Sequence, residues 1–175
     1  MIGSSRRWVR PAVVAVLAAG LSSGCAGPDW LAGACTDRDE QFVSVLAELP
    51  ILAVHPGDAE LVDSETGCDN DSGFAHAGRQ YRSGLAREAV MSFYRTAAPA
   101  DGWRSDGEDP TPVPSDALVV SGAAACFSKE VDGATVHLSV WFPSDFNVPG
   151  EPRLQSPTDV FGLAANGSHD GAAWC

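Results

Sequence analysis

ACFSKEVDGATVHLSVWF, residues 125–142, decides the fold. Two β-rich runs flank Asp132-Gly133, a pair favoured in two-residue hairpin turns because both central positions need positive φ. Centring the hairpin there sets Phe127 opposite Leu138, Lys129 opposite Val136 and Ala125 opposite Val140. Side chains alternate across a strand, so Phe127, Val136, Leu138, Val140 and Phe142 share one face, the expected core face. Cys126, His137, Ser139 and Trp141 fall on the other. A cysteine there implies that this second face is also partly covered, by a segment tethered through a disulfide.

Upstream, Thr36 can cap a helix, with Asp39 three places on. Phe42, Val45, Leu46 and Leu49 continue at i, i+3, i+4, i+7, a core-facing stripe that Pro50 closes. Residues 56–73 are rich in turn formers. Phe74–Arg82 has the composition of a strand. A second helix is expected after Ser83, with Leu85, Ala89, Val90, Phe93 and Ala97 as its apolar face and Pro99 as its stop. Trp103 then packs back as core. Residues 105–116 and 143–157 are proline-rich and predict exposed loops. Val160–Ala165 is the last candidate strand, with Asn166-Gly167 as a turn. The order of helix, strand, helix and antiparallel strands predicts an α+β domain. Two helices would pack on one face of a mainly antiparallel sheet, stapled by two disulfides.

The N-terminus reads differently. Arg6, Arg7 and Arg10 precede an apolar run from Pro11 to Leu21, then Ser22-Ser23-Gly24-Cys25. This is the pattern of an export signal over residues 1–24, and the run is shorter than the ~20 residues a bilayer span needs. Arg6-Arg7 also partly matches a twin-arginine signal. Gly24-Cys25 resembles the lipobox of bacterial lipoproteins, although Leu21 stands one place earlier than in that pattern. The resemblance implies that Cys25 carries a lipid anchor and heads the mature chain. Residues 25–34 would be a tether and residues 35–175 a single domain on the outer face of the plasma membrane.

The chain of 175 residues carries a net charge of −12, and loss of the signal removes three arginines and no acid, giving −15. Such a surface repels phosphate backbones and excludes nucleic-acid binding as a function class. It is repelled by anionic headgroups too, so the expected membrane contact is the lipid on Cys25 alone. Beyond Cys25, Cys35, Cys68, Cys126 and Cys175 remain, an even number that reads as two disulfides in an exported chain. Three pairings are open, and the one taken forward is Cys35 with Cys175 and Cys68 with Cys126. A zinc site would want two closely spaced cysteines, which the sequence lacks.

The segments Gly67-Cys68-Asp69-Asn70-Asp71-Ser72-Gly73, Tyr81-Arg82, Phe93-Tyr94-Arg95, Gly102-Trp103 and Cys126-Phe127-Ser128-Lys129 resemble small lipoproteins of streptomycete-type actinobacteria, a family of unassigned function. The resemblance runs over residues 35–142 and implies location rather than activity.

No catalytic set is evident. Gly20-Leu21-Ser22-Ser23-Gly24 matches a nucleophile elbow but lies in the signal. Asp69 and Asp71 are weak calcium candidates, since Gly73 stands where a calcium loop needs a third oxygen ligand. His55, His76, His137 and His169 lack a helical i, i+4 partner and are expected at the surface. Asn166-Gly167-Ser168 matches a glycosylation sequon by chance. The expected function is a membrane-anchored binding or scaffolding lipoprotein without a cofactor, whose partner is a protein or small molecule. The alternative is a cell-envelope hydrolase with carboxylates scattered in sequence. A calcium-stabilised module is a third possibility.

Overall fold

The computed structural model describes residues 35–108, 122–145, 159–169 and 175. The signal, Cys25, the tether and most of both proline-rich stretches lie outside the described residues.

The hairpin forms in the expected register. Strands β4 (Ala123–Val131) and β5 (Ala134–Trp141) pair with Phe127 opposite Leu138, Lys129 opposite Val136 and Ala125 opposite Val140. Asp132 and Gly133 take φ of 50° and 78°, the left-handed values the tight turn requires. Val136, Leu138 and Val140 are fully buried.

Around it assemble β1 (Glu60–Asp69), β2 (Phe74–Arg82), β3 (Arg104–Glu108) and β6 (Val160–Gly167), in the order β1-β2-β6-β5-β4-β3. Every neighbouring pair is antiparallel. The last strand thus runs up the middle of the sheet, between β5, which precedes it directly, and β2, made much earlier. Helices α1 (Asp37–Ala47) and α2 (Arg87–Ala100) join the same core, α1 over β1, β2 and β6, and α2 over β3 and β4. The molecule is therefore the expected α+β fold, with two helices on an antiparallel sheet.

Helix α1 begins at a full capping box. The Thr36 hydroxyl accepts from the Asp39 amide at 3.2 Å, and the Asp39 carboxylate accepts from the Thr36 amide at 3.0 Å. That satisfies two otherwise orphaned donors and turns Phe42, Leu46 and Leu49 into the core. Trp103 is buried as expected; its indole N–H donates to the Asp101 carboxylate at 3.0 Å, and the Lys129 ammonium sits 5.7 Å from its ring.

Several expectations are corrected. Helix α2 starts at Arg87 behind Ala86; Ser83 is not its cap, because its hydroxyl is engaged in donating to Asp58 at 2.9 Å. Val90, Met91, Tyr94 and Ala98 form its buried stripe, whereas Leu85 lies outside the helix and is exposed. Pro99 sits inside the last turn, and the helix ends at Asp101. Residues 60–69, expected as turns, form an edge strand; no alternation marks it because residues 60–66 are all exposed. Residues 104–108, partly assigned to a loop, pair with β4, since the prolines that forbid a strand begin only at Pro110. Asn166 and Gly167 are not a turn: they pair with His137 and Val136.

The disulfides form between Cys35 and Cys68 and between Cys126 and Cys175, not in the expected pairing. The sheet explains why. Cys68 faces the same way as its partner Ala75, which is buried beneath the helices and close to the start of α1. Cys126 faces the opposite side, so a Cys68–Cys126 bridge would have to pass through the sheet.

The centre of the core is aromatic. Phe161 stacks on Tyr81 at 5.6 Å and meets Tyr94 edge-on at 5.9 Å. Both phenols are spent on backbone: Tyr81 donates to the Leu52 carbonyl and Tyr94 to that of Val54, at 2.9 Å. Burial, and then the neighbouring Tyr81, hold the Tyr94 phenol far above its ordinary titration range. The native state therefore keeps a proton that the unfolded chain loses near pH ~10. This stability is fully present below that pH and drains away above it, by about 1.4 kcal/mol per pH unit. Alkaline urea melts should show that slope in the wild type and its reduction in Tyr94→Phe.

Candidate functional site

The two faces of the sheet are unlike. Opposite the helices, β2 and β6 carry Gly78, Gly162 and Ala164 in a row of small residues. The Trp141 indole fills the space above Gly162, where a Cβ would fall 2.1 Å from its Cε2. This face is the one that the hairpin register assigns to Cys126, His137, Ser139 and Trp141.

His137 sits on central strand β5, opposite Ser128 on one side and Asn166 on the other. A bulge in β3 leaves Asp106 between Ser105, opposite Phe127, and Gly107, opposite Cys126. Gly107 holds a φ of 150°, open to glycine and strained for other residues. Bulges re-aim side chains, and here the carboxylate of Asp106 lies 3.7 Å from His137 Nδ1. The Ser128 hydroxyl donates to Asp106 at 2.9 Å, and Arg104 Nη2 donates to Ser128 at 3.2 Å. A chain from Arg104 through Ser128 and Asp106 thus ends at an imidazole. On that imidazole lies the Cys126–Cys175 disulfide: one ring nitrogen and both sulfurs are within 4.8 Å of one another. The bridge brings residue 175 onto the open face, as the outward cysteine implied.

His137 also lines a concavity of about 400 Å³ at the hairpin end, with Glu130, Thr135, Ser168 and His169. Thr135 donates to Glu130 at 2.6 Å, and the His169 ring packs on Phe42 at 4.6 Å. The Nδ1 atoms of His137 and His169 are both buried and unpartnered by hydrogen bonds within the described residues. Unsatisfied buried nitrogens are uncommon in folded proteins, and the two residues that carry them line one polar hollow. The arrangement can offer imidazole nitrogen, hydroxyl and carboxylate to a small ligand.

All four histidines are partly buried. The calcium candidates lie elsewhere. Asp69 ends β1 and Asp71 follows in the turn, where its amide donates to the Asp69 carboxylate at 2.9 Å. Asn70 accepts from the Cys35 amide at 3.2 Å, so this acidic stretch ties its own turn to the start of α1. The His137 cluster was not anticipated, although the hairpin register already placed Cys126 and His137 on one face. Asp106 and Cys175 carried no such signal.

Comparison with known protein families, with curated proteins and with solved structures finds no match to this chain.

Proposed function

We propose that the protein is a binding module, exported through the signal over residues 1–24 and held by a lipid on Cys25 at the outer face of the plasma membrane. The actinobacterial lipoproteins it resembles are the expected setting. The observation that carries the binding role is the division of the sheet. Both helices are spent on one face, while at the hairpin end of the sheet His137 of the other face and His169 line a polar concavity of about 400 Å³, each with a buried Nδ1 that has no hydrogen-bond partner among the described residues. Two disulfides suit an oxidising compartment and hold this small domain rigid around the hollow. The partner is a small polar molecule or a protein side chain that fills it. No observation favours the hydrolase alternative, for Glu130 is the one carboxylate among the described residues lining the concavity, and carboxylate-pair chemistry needs two.

Metabolic labelling with a palmitate analogue tests the anchor. The wild type should be labelled and sediment with membranes, and Cys25→Ala should be unlabelled and released. A wild type as unlabelled as Cys25→Ala would end the proposal.

A further inference from the structure

We propose that Cys126, His137 and Cys175 form a second site that excludes the first state of the bridge: once a thiol reductant opens the disulfide, the two sulfurs and the imidazole bind one zinc-like divalent ion. The inference needs neither export nor Cys25, so it stands or falls apart from the lipid anchor.

The donors are already assembled. Two sulfurs and a ring nitrogen lie within 4.8 Å of one another, each residue half-buried, so the ion can be reached without unfolding the sheet. Thiolate and imidazole select zinc and its relatives over calcium or magnesium, which want oxygen. Three protein donors leave the fourth tetrahedral position open. A metal-bound imidazole commonly has a carboxylate behind it that fixes the ring. With the ion taken on Nε2, Asp106, 3.7 Å from Nδ1 and itself held by Ser128, is placed for that positioning role. Two of the three donors come from the hairpin, whose register is fixed by its buried face, and Cys175 is already on that face.

The chemistry balances. Two electrons from a thiol pair, which leaves as its own disulfide, and two protons convert the Cys126–Cys175 bond into two thiols. The metal then displaces both thiol protons and takes a lone pair from His137.

The test is thermal melting of the full chain, oxidised or reduced with a phosphine that takes up water oxygen, with and without zinc. With zinc at about a hundredfold over Kd, the reduced wild type should gain on the order of 5–10 °C. Cys35→Ser/Cys68→Ser, equally reduced, should gain as much. The oxidised wild type, reduced Cys126→Ser/Cys175→Ser and reduced His137→Ala should not respond. Asp106→Asn should weaken binding about 10–100-fold while leaving the metal-free melt unchanged. Cobalt gives a readout independent of stability, through the thiolate-to-metal absorption band, which should appear in Cys35→Ser/Cys68→Ser and vanish in Cys126→Ser/Cys175→Ser. No zinc response in the reduced wild type, an equal response without Cys126 and Cys175, or full affinity in His137→Ala would each overturn the site.

Discussion

Phe161→Ala should lose about 3–5 kcal/mol of folding stability, the largest effect expected from one substitution in this chain. The ring is 1% exposed and lies between Tyr81 and Tyr94 at 5.6 and 5.9 Å. Through those two it joins β6 to β2 and to α2. Through their phenols it also reaches the carbonyls of Leu52 and Val54, in the segment that follows α1. Truncation removes apolar area from the core and leaves a cavity flanked by rings that are pinned at their far ends, so the walls cannot collapse inward. Against a total of about 5–15 kcal/mol for a domain, the loss is a large fraction. Urea melts should show the midpoint falling with the slope unchanged. A loss under about 1 kcal/mol would mean that the three rings repack freely.

Removing the Cys126–Cys175 bridge, by serine at both positions, should cost about 4 kcal/mol. The two ends are 49 residues apart, and the chain entropy returned to the unfolded state rises with the logarithm of that span. The melting temperature should drop by roughly 8–16 °C. The Cys35–Cys68 bridge closes 33 residues, and the logarithm makes its loss nearly equal, within about 0.5 kcal/mol. A clear inequality would point to differences in the native state. The Cys126–Cys175 bridge pins residue 175 against a central part of the open face, whereas the other ties a helix start to an edge strand. Melts of the two double variants, side by side, decide this.

Much of the fold was legible because one local signal was strong. Asp132-Gly133 fixed the turn, the turn fixed the register, and period-two alternation then sorted Val136, Leu138 and Val140 from His137 and Trp141. Thr36 and Asp39 announced α1 equally well. The misses share a cause. Strand β1 buries neither face through Thr66, so no period of burial is written into it. The stripe of α2 slipped because its start was taken from Ser83, whose hydroxyl serves Asp58 instead. The disulfide pairing depends on which side of the sheet each cysteine faces, and Cys68 sits on the strand whose existence was not visible. The site was half legible: Cys126 and His137 follow from the register, while Asp106 depends on a bulge and Cys175 on a tertiary path.

The edge formed by β1 has a consequence for crowding. By register, Glu60, Asp63, Glu65 and Asp69 all point to the helix-free side, while Leu61, Ser64 and Thr66 point to the other. The strand's outer row of amides and carbonyls is ten residues long, long enough to zip onto a neighbour. Two copies meeting edge to edge would bring eight carboxylates onto one stretch of surface. That repulsion disfavours pairing between copies of the chain through this edge, and it weakens as salt rises.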